Sequence, residues 1–269
     1  MEIIENIDEW SKQYDEWVKS RGAISGNGDV GESYPLVRNK RAPFTPSRRA
    51  LSMLNLAVVS SAGVYVDGTE PFNTEGDDLR FREIPTEVEA ADLRITARGY
   101  DAIAFLQDIN AQLPLDRLHE FEANRIIGQL NSVFWSFSGF ITDAARLADE
   151  MLPKLVERVK RYDVQAVLLI PASRLCHQSV SLAARVFEIA GLPTMTLAVA
   201  KDVVESVRPP RVAFYEGQLG SVAGQPNWPE HQRRILDEAL RWMEPMGQPG
   251  IRELVVELES QVEKERGER

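Results

Sequence analysis

The segment "VQAVLLIPASRLCHQSVSLAARVFEIAGLPTMTLAVA" (164–200) decides the fold class. Its first part, "VQAVLLI" (164–170), is a short apolar run typical of a buried strand. "SVSLAARVFEIAG" (179–191) has the pattern of a helix that ends at Gly191, and "PTMTLAVA" (193–200) is again strand-like. A strand, a crossover helix and a second strand of these lengths predict a parallel β-sheet.

The preceding half of the chain contains further strand patterns. "LNLAVVSSAG" (54–63) predicts a buried strand that runs into a loop, and "DLRITA" (92–97) alternates as a strand does. Between them, residues 64–85 combine Gly and Pro with clustered carboxylates, which indicates a long surface loop. In "NSVFWSFSGFI" (131–141), the aromatic side chains are expected to fill the core between the halves, with the lining of an apolar pocket as the alternative.

Three segments have helical patterns. Residues 1–20 and 114–124 each predict one helix, and 142–163 predicts a long amphipathic helix. Thr142 or Asp143 supplies the N-cap of the long helix, because both residue types accept hydrogen bonds from the first turn.

These elements predict an α/β fold with a mainly parallel sheet in two Rossmann-like halves and flanking helices. Residues 1–50 form an N-terminal helix and an irregular arm, and residues 51–269 form the α/β domain. Its halves span about 51–141 and 142–242, followed by a C-terminal helical tail. In open parallel sheets ligands bind beyond the carboxyl ends of the strands, so we expect the site there, between the halves.

Composition narrows the class of protein. The apolar fraction of 43% is ordinary for a globular chain, and the formal net charge of −10 argues against binding to nucleic acid or to an anionic membrane. The basic stretch "RNKRAPFTPSRR" (38–49) is interpreted as a solvated connector, with a small-anion site as the alternative. No apolar run reaches the roughly 18 residues that span a bilayer, and the acidic N-terminus does not resemble a signal peptide. We therefore expect a cytoplasmic protein.

A single cysteine excludes an internal disulfide and a Cys-rich metal centre. The histidines lie too far apart in sequence to indicate a metal site. They are His119, His177 and His231. We assign no cofactor and no metal to this chain.

The lone cysteine, Cys176, comes just before the predicted second-half helix. Unpaired N–H groups and the helix dipole at that position favour a thiolate. His177 is a candidate base or positive charge. The candidate hydrogen-bond donors to an anionic substrate are Ser173, Arg174, Gln178 and Ser179. The alternative is that Cys176 is an ordinary packed residue, because free cysteine is among the most buried residue types.

Three motifs of this chain occur in the same order as in a known protein family. "DINAQLPLDRL" (108–118), "PASRLCHQSVSLAARVFEIAGLPT" (171–194) and "VESVRPPRVAFYEGQLGSVAGQPN" (204–227) resemble the selenoprotein B family of glycine, sarcosine, betaine and D-proline reductases. The resemblance extends from about residue 50 to 242. It implies reductive cleavage of a carbon–nitrogen bond in a small amine or amino-acid-like substrate, with partner subunits that carry electrons or the intermediate onward.

The sequence departs from that family pattern at two places. Cys176 matches the second, resolving cysteine of the family, whereas Ser173 stands where the family has selenocysteine or the first cysteine. Serine has no redox chemistry, so the dithiol cycle is absent. Where the family shows His-x-His-Tyr-Asp, this chain has Ala97 and Gly99 in the histidine places, followed by Tyr100 and Asp101.

Charged residues cluster in "EPFNTEGDDLRFREI" (70–84), where a carboxylate can act as acid or base or hold an amine. The substrate-binding candidates in this stretch are Glu70, Asp77, Asp78 and Arg80. Alternatively, these side chains pair with one another across turns of a solvated loop. Arg208 in "RPPR" is a further candidate, which either clamps a substrate carboxylate or caps the preceding helix.

Two functions follow from these observations. The first is a reductase-like enzyme in which the single thiol of Cys176, supported by Ser173 and His177, acts on a small amine or amino-acid-like substrate. The second is a non-catalytic accessory subunit of a heteromeric reductase-like complex. The retained "CHQS" favours the first, and the missing redox and histidine residues favour the second. In both cases we expect a homo-oligomer or a complex with a related subunit.

Overall fold

The computed structural model describes residues 2–21, 30–31 and 33–256. The strands in this part of the chain are β1 (Asn55–Ser60), β2 (Val64–Val66), β3 (Phe81–Pro85), β4 (Leu93–Ile95), β5 (Gln129–Leu130), β6 (Val133–Phe137), β7 (Ala166–Ile170), β8 (Thr194–Ala198), β9 (Arg211–Phe214) and β10 (Gly250–Glu253). The main sheet has the order β10-β9-β8-β7-β1-β6-β3, with β5 beside β1, and β2 pairs with β4 separately. Only the pairing of β3 with β6 is antiparallel in the main sheet. The predicted mainly parallel α/β fold is confirmed.

The helices of the described residues are α1 (Ile7–Arg21), α2 (Ile103–Gln107), α3 (Leu115–Ala123), α4 (Ala144–Arg146), α5 (Leu152–Lys160), α6 (Arg174–Ile189), α7 (Lys201–Val207) and α8 (Pro229–Arg241). A π-helical turn over Leu147–Met151 joins α4 to α5. None of the helices in the described ranges has the length and apolar character needed to cross a membrane.

Alternating side chains of the sheet build two cores. Leu56 and Val58 point to the face covered by α3 and α8. Ala57 and Val59 point to the face covered by α1, α5, α6 and α7. The predicted core aromatics are fully buried: Phe134, Trp135 and Phe137. Helices on both faces explain why the central strands are apolar throughout rather than alternating.

Most predicted elements are confirmed close to their predicted bounds. The strands predicted at 54–63 and 164–170 are β1 and β7, and the long helix predicted at 142–163 is the run of α4, the π turn and α5. Asp143 is its N-cap, because the side chain accepts a hydrogen bond of 3.0 Å from the amide of Arg146.

The structure differs from the prediction at both ends of the sheet. Residues 64–85, predicted as a surface loop, begin with β2 and end with β3, whose backbone pairs with the buried strand β6. Residues 250–253, within the predicted helical tail, form the edge strand β10. The remainder of that tail, 257–269, lies outside the described residues, as do 22–29 and 32 of the predicted arm.

Helix α6 is buried along nearly its whole length, from Leu175 to Glu188. The irregular arm lies across it, and the fully buried side chain of Arg185 links the two. Arg185 donates hydrogen bonds to the main-chain oxygens of Glu2, Ile3, Arg41 and Arg208. Part of the predicted solvated connector (38–49) is therefore packed against the core.

A second buried charge on α6 binds the arm to the sheet. Glu188 pairs with Arg211 of β9 at 2.6 Å, and both side chains are fully buried. Glu188 also accepts hydrogen bonds from the amides of Thr45 and Thr194. The Arg211 guanidinium lies 4.1 Å above the ring of Phe44. Burial raises the pKa of Glu188, and the charge of Arg211 opposes that rise. Because every partner donates to it, the carboxylate is the form that the site stabilises.

Glu188→Gln should therefore destabilise the protein by about 3–5 kcal/mol at pH 8, because it leaves the buried Arg211 charge without a counterion. Urea unfolding, monitored by circular dichroism, measures this change in the free energy of unfolding. Glu157→Gln is the matched control, since Glu157 pairs with Arg161 on the exposed surface of α5, and its effect should stay below about 0.5 kcal/mol. Equal, small losses in both variants would contradict the role given to this pair.

Candidate functional site

The carboxyl ends of β1 and β7 lie side by side at the point where the connections of the sheet diverge. After Ser60 the chain continues towards β6, on one side of β1, and after Ile170 it continues towards β8, on the other side. Such a switch point forms a crevice in which open α/β sheets bind ligands. The first turn of α6, which carries the lone cysteine, lies at this crevice.

Helix α6 begins at Arg174, five residues before the predicted start at 179. The reason is Ser173, whose side-chain oxygen caps the helix by accepting a hydrogen bond of 3.1 Å from the amide of Cys176. Cys176 is therefore inside the first turn, not before it. The hydroxyl of Ser173, which occupies the position of the family's redox residue, therefore serves as a helix cap in this chain.

The thiol of Cys176 is packed between the two halves of the sheet. Its Sγ donates a weak hydrogen bond to the main-chain oxygen of Ser61 at 3.4 Å. Gly139 lies so close that a Cβ there would sit 2.9 Å from Sγ and 2.5 Å from the Cβ of Ser61. Only 1% of Cys176 is exposed. The sulfur thus lies at the expected crevice but beneath its surface.

His177 is fully buried and is not hydrogen-bonded to the thiol. Its Nδ1 lies 2.7 Å from the main-chain oxygen of Ser173, and Nε2 accepts hydrogen bonds from the amides of Val199 and Ala200 at 3.0 and 3.3 Å. These contacts fix the neutral tautomer with the proton on Nδ1. Burial lowers the pKa of His177 to about 4. The ring holds the turn after β8 onto α6.

Gln178 and Ser179 also have protein partners. Gln178 accepts a hydrogen bond from the amide of Val37 and donates one to the hydroxyl of Tyr34, both at 2.8 Å. Ser179 donates to the main-chain oxygen of Gly139 at 2.7 Å. The polar residues after Cys176 therefore join the arm and the β6 loop to α6.

Three of the charged candidates in the 70–84 stretch form one ion-pair cluster. Arg80 binds both oxygens of Asp78, at 2.8 and 2.7 Å, and Glu70 at 2.9 Å. Burial acts to raise the pKa of Asp78, but the hydrogen bonds from Arg80 and the amide of Asn73 outweigh it and hold that pKa below its usual range. This is the arrangement expected of a loop that pairs its own charges.

The two remaining candidates lie far apart. Asp77 accepts hydrogen bonds from the amides of Thr142 and Asp143, at 2.9 and 2.8 Å, and so supports the start of α4. Arg208 ends α7 in a left-handed conformation with φ of 56° and donates to the main-chain oxygen of Lys40. Because α7 returns the chain to the amino end of β9, Arg208 lies near the amino ends of the strands, whereas Cys176 lies near their carboxyl ends.

The structure brings two residues near the thiol that were not among the predicted site residues. Arg98 is 3% exposed, and the Tyr100 hydroxyl donates to the main-chain oxygen of Ala62 at 2.6 Å. Both interact electrostatically with Cys176. Burial of its hydroxyl, and then its electrostatic interaction with Cys176, raise the pKa of Tyr100 well above its usual value. Within the described part of the chain, no cluster of three or more His, Cys, Asp or Glu side chains is arranged to hold a metal ion.

Comparison with known proteins gives a consistent set of relatives. The family model described as glycine/sarcosine/betaine reductase selenoprotein B matches residues 27–172. This range ends immediately before Ser173, so the segment with the lone cysteine lies beyond it. No solved structure matches the chain.

Individual relatives are reductase subunits. The D-proline reductase subunit gamma of Acetoanaerobium sticklandii is 31% identical over 198 residues, which cover 74% of this chain and 81% of the relative. The glycine reductase complex component B subunit gamma of Symbiobacterium thermophilum is 24% identical, over 77% of this chain and 49% of the relative. The sarcosine reductase complex component B subunit beta of Peptoclostridium acidaminophilum is 27% identical, over 66% of this chain and 42% of the relative. The chain thus spans less than half the length of these last two relatives.

The buried neutral ring of His177 predicts a specific loss of stability in acid. An unfolded histidine binds a proton below its ordinary pKa of 6.5, whereas the folded His177 does so only near 4. The free energy of unfolding therefore falls as the pH drops through this window. Between pH 7 and pH 5, the wild type should lose about 2 kcal/mol more than His177→Gln, whose side chain does not titrate.

Urea unfolding at a series of pH values measures that difference. His119→Gln, which replaces a partly exposed histidine of α3, is the control and should keep the wild-type pH dependence. If His177→Gln also keeps it, the ring is not held neutral by burial as described.

Proposed function

Because the chain belongs to the glycine/sarcosine/betaine reductase selenoprotein B family, we propose that it is a component of a reductase complex acting on a small amine or amino-acid-like molecule. The names of its relatives support this proposal, since each describes a reductase subunit or component. D-Proline, glycine and sarcosine, which appear in those names, share a carbon–nitrogen bond next to a carboxylate. Cleavage of that bond is the reaction we propose for the site at the switch point.

The observation that carries the proposal is the position of the only thiol in the sequence. Cys176 lies in the first turn of α6, at the carboxyl ends of β1 and β7, where an open sheet binds ligands. We propose that the Cys176 thiolate attacks the carbon that carries the amine, forms a carbon–sulfur bond and releases the amine with the electron pair of the broken bond.

The other polar residues then have supporting roles. Ser173 places Cys176 in the first turn by capping its amide, and His177 fixes the end of β8 against the same turn. Neither supplies a second redox group. Reductive cleavage of the carbon–sulfur bond needs two electrons, so these must come from a partner component that carries a dithiol or a selenol.

The burial of the thiol favours a second candidate function. With 1% of Cys176 exposed and its Sγ hydrogen-bonded to Ser61, the sulfur also fits a packed residue. In that case the chain is a non-catalytic subunit of the same kind of complex.

Cys176→Ala separates the two functions. In the complex assembled with its partner subunits, we expect amine release from small amino acids to fall on the order of 100-fold or more, with assembly unchanged. Ser181→Ala is the matched control: Ser181 is a small, fully buried residue of the same helix whose hydroxyl has no hydrogen-bond partner. The complex with Ser181→Ala should have the activity of the wild type. Full activity in Cys176→Ala would establish the accessory role.

A further inference from the structure

A cavity of about 300 Å³ opens beside the crevice, between α1, the loop before β3 and the turn that leads into α4. This volume suits a small ligand. Its walls combine two aromatic rings with charged side chains of both signs. The lining includes Tyr14, Trp17, Glu75, Asp77, Arg98 and Asp143.

Arg98 forms the inner wall of this cavity and is short of partners. Its Nη1 donates to the main-chain oxygens of Gly76, at 2.6 Å, and Phe140, at 3.4 Å, and its guanidinium stacks 4.6 Å above the Phe140 ring. Its buried Nε has no hydrogen-bond partner. Among the described residues, no carboxylate forms an ion pair with Arg98. A guanidinium that is 3% exposed and lacks a counterion is costly to bury.

The charges of Asp77 and Asp78 act on Arg98 from a distance, but neither carboxylate forms an ion pair with it. Asp78 is bound by two nitrogens of the Arg80 side chain, and Asp77 is held by the amides of Thr142 and Asp143. The other cation in the cavity lining, Arg146, pairs with Glu150 on α4 and the following turn. The guanidinium in the lining that has no direct ion pair is therefore that of Arg98.

We propose that Arg98 binds the carboxylate of a small zwitterionic ligand in this cavity. A carboxylate accepts two parallel hydrogen bonds from a guanidinium, and Arg98 has donors to spare. The outer wall carries Glu75, Asp77 and Asp143, which repel a dianion such as phosphate and attract an ammonium group. The rings of Tyr14 and Trp17 offer a cation a further favourable surface.

Two consecutive residues connect the cavity to the thiol. Phe140, which stacks on Arg98, directly follows Gly139, which touches the sulfur of Cys176. We assign the zwitterion as the substrate of the reaction proposed above, and this assignment rests on that function. The proposal that Arg98 binds a zwitterion does not rest on that function, because binding can be measured without turnover.

Binding is therefore tested in Cys176→Ala protein by saturation-transfer NMR titration with glycine, methylammonium and phosphate. We expect glycine to bind about tenfold more tightly than methylammonium or phosphate, each of which carries charge of one sign only. Arg98→Gln should weaken glycine binding by about tenfold or more, and Arg98→Lys, which keeps the charge but not the planar fork, by a smaller factor. Arg94→Gln is the control, because Arg94 pairs with Asp67 at the surface, and it should bind as the parent does.

Several results would overturn the proposal: no binding of glycine, equal binding of phosphate, or unchanged binding in Arg98→Gln. If Arg98→Gln fails to fold, unchanged binding in Arg98→Lys has the same meaning. Glycine binding that depends on Arg98, combined with full turnover in the Cys176→Ala complex, would retain this site and remove only the thiol mechanism.

Discussion

The burial of helix α6 is the constraint on which the rest of the structure depends. A helix enclosed by protein from Leu175 to Glu188 has no water for its polar groups, so each charge on it needs a partner. Arg185 donates hydrogen bonds to main-chain oxygens near the N-terminus and in the arm. Glu188 forms an ion pair with Arg211 and accepts a hydrogen bond from the amide of Thr45. The arm is thus part of the core, because without it Arg185 and Glu188 would each lose a hydrogen bond that helps to satisfy a buried charge.

The same requirement explains the residues around the cysteine. Each polar side chain of "HQS" after Cys176 bonds to another segment: His177 to the end of β8, Gln178 to the arm and Ser179 to the loop after β6. A motif that suggests catalysis in the sequence is therefore mostly a set of structural contacts. Cys176 is the exception, since its contact with Ser61 is a weak one that a reactive thiol can lose at little cost.

Apolar periodicity was sufficient to predict the centre of the sheet, because β1, β7 and β8 are buried on both faces and appear as continuous apolar runs. It missed the true start of α6, because the first turn is polar and its N-cap, Ser173, is predicted to act at the site rather than at the helix start. It also missed Arg98, a single arginine between small residues. Nothing local distinguishes such a residue from a surface arginine, since its lack of a counterion depends on Phe140 and Gly76, which are distant in sequence.

The charges around the cavity also impose a direction on any zwitterion that enters. Arg98 lies on the inner wall, towards Cys176, whereas Glu75 and Asp143 lie on the outer wall. A carboxylate held at Arg98 leaves the ammonium group facing outward, away from the sulfur. Displacement of an amine requires the nucleophile to approach the carbon from the side opposite the leaving nitrogen. In the proposed binding mode, the ion pair with Arg98 therefore determines which side of the carbon–nitrogen bond is turned towards the thiol.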